Sequence, residues 1–199
     1  MRKALLIVSV AVFGLSFGGG KQAVSTFTDK RDGQVYRIVE IGGAVWMAEN
    51  LNYAAEGSKC YKDSAEYCAK YGRLYNWKTA IKACPAGFHL PDNEEWYTLV
   101  DYAGGKDKAG TKLKSTSGWY NNGNGTDDYG WSALPGGYGG GRSFGNAGYS
   151  GYWRSATEYD ADYASYRRMG YGYELVHWGS IDKTYLFSVR CVADKEAQK

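Results

Sequence analysis

The residues best equipped for chemistry in this chain are its four cysteines, Cys60, Cys68, Cys84 and Cys191, and its two histidines, His89 and His177. Thiolates and imidazoles together hold zinc, but zinc sites use closely paired ligands such as C-x-x-C. No such pair occurs, which leaves a site built on Cys84 and His89 as the metal reading. An even cysteine count suits disulfides instead. Three pairings are open. We favour Cys60–Cys68, which closes a short local loop, and Cys84–Cys191, which ties a central helix to the last strand.

Carboxylates offer a second chemistry. Two of them suffice to break a glycosidic bond, and Glu158, Asp160 and Glu174 are available. Their spacing does not set their separation in space. Glu94 and Glu95 stand in tandem at a helix start, where acids complement the helix dipole. Neither histidine has a serine elbow near it. The expectation is a non-enzymatic protein with no cofactor, calcium being the one possible exception. Asn121, Asn122, Asn124, Asp127 and Asp128 gather oxygens among glycines, with Asn124, Asp127 and Asp128 as candidate ligands. The EF-hand spacing is absent, and Asn-Gly pairs are equally at home in turns.

Recognition is the third chemistry. Twelve of the 34 residues from Gly118 to Gly151 are glycine, which suits neither a regular helix nor a long central strand. Aromatic residues are spread through the same stretch, and Gly/Ser linkers lack such anchors. A long loop region pinned by aromatics is expected, and long ordered loops usually carry function. Tyr and Trp give contact area at low entropic cost while Gly, Ser and Asn let the backbone adapt. Flat rings also stack on sugars. The candidate ligand-binding residues are Trp119, Tyr120, Trp131, Tyr138, Tyr149 and Trp153. Trp46, Trp77 and Trp96 are expected in the core. For Trp119, Trp131, Trp153 and Trp178, core and ligand surface both stay open. Tyr120, Tyr138 and Tyr149 are expected to be exposed, because glycine-rich neighbours offer little to bury them.

The elements that must position these residues follow from pattern. Val35 to Glu40 alternates like a strand, Ile41-Gly42-Gly43 turns it, and Ala44 to Met47 returns. A helix is predicted over Asn76–Ala83, with Leu74, Trp77 and Ile81 on one side and Pro85 stopping it. A second opens at Pro91-Asp92, where Asp92 and Glu95 have the spacing of a capping box. Trp96, Leu99 and Val100 give it an apolar face, and Gly104-Gly105 ends it. Strands are predicted over 152–156, 164–169, 174–178 and 186–192. In the last, Phe187, Val189 and Cys191 face one way and Ser188, Arg190 and Val192 the other.

The N-terminus has the layout of an export signal: Arg2 and Lys3, an uncharged run from Ala4 to Phe17, then three glycines. Cleavage is expected after Gly20 or as late as Ser25. Losing Arg2 and Lys3 takes the formal charge from +3 to about +1, which gives no electrostatic reason to bind nucleic acid. The apolar run is short for a bilayer span, so no membrane insertion is expected after signal cleavage.

Several phrases read together carry a resemblance. They are Asp32-Gly33, Trp46-Met47-Ala48-Glu49-Asn50-Leu51, Tyr71-Gly72-Arg73-Leu74-Tyr75-Asn76-Trp77, Cys84-Pro85-Ala86-Gly87-Phe88-His89-Leu90-Pro91, Glu95-Trp96, Ala133-Leu134-Pro135-Gly136-Gly137 and Ser188-Val189-Arg190-Cys191-Val192. The chain resembles the Fibrobacter succinogenes major paralogous domain family, as one domain over residues 27–194. It departs at Arg154, where the family more often has a serine. The resemblance implies an α+β fold of distantly C-type-lectin-like, formylglycine-generating-enzyme-like form. That means two helices packed on small twisted antiparallel sheets, a long Gly/aromatic-rich loop region and neighbouring termini. The Cys84–Cys191 pairing suits such a fold. The expected function is a secreted or cell-surface binding module for carbohydrate or a surface protein. A structural or assembly protein of the cell surface is the alternative, with an enzyme related to formylglycine-generating enzymes or a carboxylate-based hydrolase ranked behind it.

Overall fold

A computed structural model describes residues 25–141 and 143–195; the expected export segment, 1–20, lies outside them. In chain order the elements are β1 (Ser25–Thr28), β2 (Val35–Ile41), β3 (Ala44–Met47), α1 (Ala65–Tyr71), β4 (Leu74–Tyr75), α2 (Trp77–Ala83), β5 (Phe88–His89), α3 (Asn93–Tyr102), α4 (Ala109–Leu113), β6 (Gly136–Gly140), β7 (Ser143–Ala147), β8 (Ser150–Glu158), β9 (Tyr163–Gly170), β10 (His177–Asp182), β11 (Phe187–Ser188) and β12 (Val192–Ala193). The class is α+β as expected, with four helices among the described residues where two were predicted.

Local chemistry explains the boundaries. Gly42 and Gly43 have φ of 62° and 77°, so β2 and β3 join through a two-residue turn whose handedness matches strand twist. Asp92 accepts from the Glu95 amide at 2.9 Å while Glu95 Oε2 accepts from the Asp92 amide at 3.0 Å. This is the expected capping box, and it aims Trp96, Leu99 and Val100 into the core. The Asn76 side chain caps α2 by accepting from Thr79 N at 2.9 Å. The apolar face read for α2 needs correction. Ala80 and Ala83 are its buried residues, and Ile81 is 39% exposed. A short helix lying close to β8 presents its small side chains, and Trp77 lies half-buried with its indole N–H on Ser155 O at 3.1 Å.

Two sheets form. One has the order β1-β2-β3-β12-β5, antiparallel throughout. The other has the order β10-β9-β8-β11-β4 and is antiparallel except where β8 meets β11. The β6–β7 hairpin joins β8 through Gly137 and Gly151. The stretch read as a long loop thus contains a hairpin. Glycine is required there by close approach: a Cβ at Gly137 would lie 2.4 Å from Gly145 O, and one at Gly140 2.5 Å from the Tyr185 ring.

The C-terminal run also differs from its pattern. It is two short strands in different sheets, and Phe187 to Val192 are at most 1% exposed on both sides. The chain crosses from one sheet to the other through the interior, so no face is left for solvent. Strand β10 begins at His177 rather than Glu174, because the preceding turn packs on α4. A Cβ on Gly110 would lie 2.5 Å from Glu174 O.

The core between the sheets and α3 holds five indoles, Trp119 among them. Trp46, Trp96, Trp131 and Trp153 are fully buried, with centroids 5.4 Å apart for Trp46–Trp96 and for Trp131–Trp153. Both expected disulfides are present: Cys60–Cys68 braces the start of α1, and Cys84–Cys191 joins the end of α2 to the segment before β12. They fit an oxidising, extracytoplasmic compartment. Among the described residues no helix is long and apolar enough to cross a membrane.

Separations of 107 and 8 residues correspond to roughly 5 and 2.5 kcal/mol of unfolded-state constraint. Urea unfolding of Cys84→Ser/Cys191→Ser should therefore show about twice the loss of Cys60→Ser/Cys68→Ser. Equal losses would contradict this account of the long staple.

Candidate functional site

The six candidate ligand residues separate in space. Trp119, Trp131 and Trp153 are 4%, 0% and 0% exposed, which corrects them to core. Trp119 donates its N–H to Ser115 Oγ and Ala133 O, both at 3.1 Å. Trp153 donates to Asn50 Oδ1 at 2.9 Å. Rings this enclosed have no face for a ligand. Tyr138 is half-buried on β6 against Tyr152 and Tyr185, away from the others. Trp178 is partly exposed beside Tyr97.

Tyr120 and Tyr149 come together at the surface. Their rings stack with centroids 4.4 Å apart, 26° from parallel. Tyr171 meets both edge-on, at 5.3 and 5.7 Å. All three stay exposed, at 51%, 43% and 37%. Sequence reasoning missed Tyr171, although Gly170-Tyr171-Gly172-Tyr173 carries the same Tyr/Gly mixture as the glycine-rich stretch.

Backbone and one buried cation build this surface. Tyr120 N donates to Gly148 O at 2.8 Å and Tyr171 N to Tyr149 O at 2.9 Å, which ties three segments edge to edge. Asn121 and Asn122 carry φ of 49° and 58°, a region Asn tolerates better than most residues. Beneath them the Lys114 ammonium donates to Gly123 O at 2.8 Å, Tyr173 O at 3.2 Å and Gly170 O at 3.3 Å. It also lies 5.3 Å from the Trp119 ring centroid. Burial lowers its pKa from the ordinary lysine value, the nearby Glu174 charge opposing that shift. Gly123 touches the 170–173 turn so closely that a Cβ would sit 2.1 Å from Tyr171 O.

The calcium candidates have local partners. Asp127 accepts from Ser132 N at 2.7 Å and Ser132 Oγ at 2.6 Å. Asn124 Oδ1 accepts from Trp119 N at 3.1 Å, and Asp128 is exposed. Among the carboxylates considered for hydrolysis, Glu158 pairs with Lys183 at 3.0 Å. Asp160 accepts from Asp162 N and Tyr163 N in the β8–β9 turn, and Glu174 is exposed. His89 lies between two carboxylates, Nδ1 2.6 Å from Asp194 and Nε2 2.8 Å from Glu95. Its hydrogen bond with Glu95 is the main cause that raises its pKa to about 9. Cys84 is committed to its disulfide, so the Cys84–His89 metal reading falls.

Gly123→Ala should cost about 1–3 kcal/mol and disperse the tyrosine cluster, read by urea unfolding and by contacts between the Tyr120, Tyr149 and Tyr171 rings in NMR spectra. Gly172 has open space around it, so Gly172→Ala is the control that should change little. Equal stability of the two variants would contradict the close approach.

No curated protein and no solved structure matches the chain. The Fibrobacter succinogenes major domain matches residues 39–193, from within β2 to the end of β12. That span takes in both disulfides, the five buried indoles and the tyrosine surface. The chain therefore belongs to the Fibrobacter succinogenes major domain family.

Proposed function

We propose that this protein is a non-catalytic binding module of the cell exterior, whose contact surface is the cluster Tyr120, Tyr149 and Tyr171. One observation carries the reading: three tyrosines, gathered from separate segments and held by close backbone contacts, stack on one another and each still exposes a third to a half of its surface to water. Folding gains most from apolar surface by burying it, so an ordered, exposed aromatic stack is more than the fold requires. Tyrosine is suited to contact, being large, stiff and polar at its tip. Carbohydrate and surface protein are the ligands such rings suit.

Two features support a C-type-lectin-like arrangement as the finer description of the fold. The first strands neighbour β12 in one sheet, and a disulfide staples a helix end to the last crossing segment. The disulfides also favour a secreted or surface location.

The triple variant Tyr120→Ala/Tyr149→Ala/Tyr171→Ala should stay folded, each substitution changing stability by about 0.5 kcal/mol or less. It should lose binding on a glycan and surface-protein array that the parent protein retains. Unfolding of the variant would make these rings core, and undiminished binding would move the site elsewhere.

A further inference from the structure

The turn that carries Tyr171 also walls a cleft of about 160 Å³, lined by Arg168, Gly170, Tyr173, Leu175 and His177. On the same measure a single water needs only about 10–15 Å³, so the space has room for a small polyatomic group. Arg168 and His177 are directly opposed across β9 and β10, so both side chains leave the same face of the sheet. The Arg168 guanidinium rests 5.5 Å from the Tyr152 ring centroid and makes one long bond, from Nη2 to Ser150 Oγ at 3.4 Å. Among the described residues no carboxylate lies within ion-pair distance of it.

Lys106 stands on the adjoining side, its ammonium 4.4 Å from the Trp178 ring centroid. Burial, then the charges of Arg168 and Lys106, hold the His177 imidazole below its ordinary pKa. Glu174, in the same turn, interacts with Lys114. A guanidinium with no carboxylate at ion-pair distance and a neutral imidazole therefore share a small cleft with one tyrosine wall.

We propose that this cleft takes the oxyanion of an acidic saccharide, a uronate carboxylate or a sulfate ester, whose sugar rings extend over the tyrosine surface. The inference deepens the binding-module reading and rests on it. A guanidinium presents a planar fork of donors that matches two oxygens of either anion. Neutral His177 adds one N–H. The recess holds a single charged group rather than a run of charge, and exposed tyrosine faces lie next to it.

The test uses the imidazole as reporter, since the chain has only two histidines and His89 is held at about 9 by its carboxylates. At constant ionic strength, glucuronate or glucose 6-sulfate should move the His177 ring resonances and raise its titration midpoint, whereas glucose should not. The two anions report which source fits better. Arg168→Gln should abolish the effect and weaken binding of an acidic oligosaccharide by about tenfold or more, with Arg168→Lys retaining part. Amide spectra confirm that each variant is folded. The absence of any anion effect on His177, or full acidic-oligosaccharide binding by Arg168→Gln, would overturn the cleft and leave the tyrosine surface standing. An effect on His177 combined with undiminished oligosaccharide binding by the triple tyrosine variant would overturn the surface and leave the cleft. An acidic peptide displacing glucuronate more strongly than the oligosaccharide does would overturn the saccharide assignment.

Discussion

A buried positive charge with no carboxylate beside it constrains most of this structure. Arg190 is 0% exposed. Its Nε and Nη2 donate to Asn50 Oδ1 at 3.2 and 3.0 Å, and its Nη1 donates to Met47 O at 3.2 Å and to Trp131 O. The guanidinium also lies 4.0 Å from the Trp131 ring centroid. Burial pushes its pKa down to about 9, so the charge persists at neutral pH and must be met where it sits. Asn50 is the hub. It accepts from Arg190 and Trp153, and it donates to Tyr71 O at 2.8 Å and Ser188 Oγ at 3.3 Å. Through these two side chains the end of β3, the end of α1, β8, β11 and the Trp131 loop are fixed to one another, and with them both sheets.

The same solution recurs where the chain is least regular. Arg154 donates Nη2 to Tyr185 O at 2.6 Å and Asp182 O at 3.1 Å, pinning the link between β10 and β11. Lys114 does so for the loops that carry the tyrosines. Irregular backbone leaves carbonyls without ladder partners, and buried carbonyls need donors. A cation with several donors satisfies a group of them at once. That explains how a glycine-rich region is ordered without long strands. The Arg154 guanidinium also lies over the Phe187 ring, 4.7 Å from its centroid, while its Nε and Nη1 are buried without a hydrogen-bond partner.

What the sequence made legible was local or covalent. The Gly42-Gly43 turn, the Asp92–Glu95 box and the Asn76 helix start are each set by residues within a few positions. The cysteine count pointed to disulfides. The β6–β7 hairpin was hidden because Gly-Gly-Tyr-Gly-Gly offers one side chain in five positions to reveal a period of two. The two-residue strands at 74–75, 88–89, 187–188 and 192–193 are too short for any periodicity. Trp119, Trp131 and Trp153 could not be sorted between core and surface, since that depends on what crosses over them. Two of the three tyrosines of the observed surface, Tyr120 and Tyr149, were readable from composition. Tyr171 was not, because its place beside them comes from a backbone bond between Tyr171 and Tyr149. Tyr138 was misplaced for the converse reason: its strand carries it to a different part of the sheet.

The molecule divides into a frame held by a buried polar hub and an exposed tyrosine surface on which the proposed binding rests. Replacing a whole buried polar network with apolar groups can be neutral, whereas removing one partner strands the other. Asn50→Leu keeps the branched shape of the side chain but leaves Arg190 and the Trp153 N–H without their shared acceptor. Equilibrium unfolding of Asn50→Leu in urea tests the division most directly. The account predicts a loss of about 3–5 kcal/mol in a single cooperative transition. A variant as stable as the parent protein would show that the two sheets are held together by something other than the Asn50–Arg190 hub.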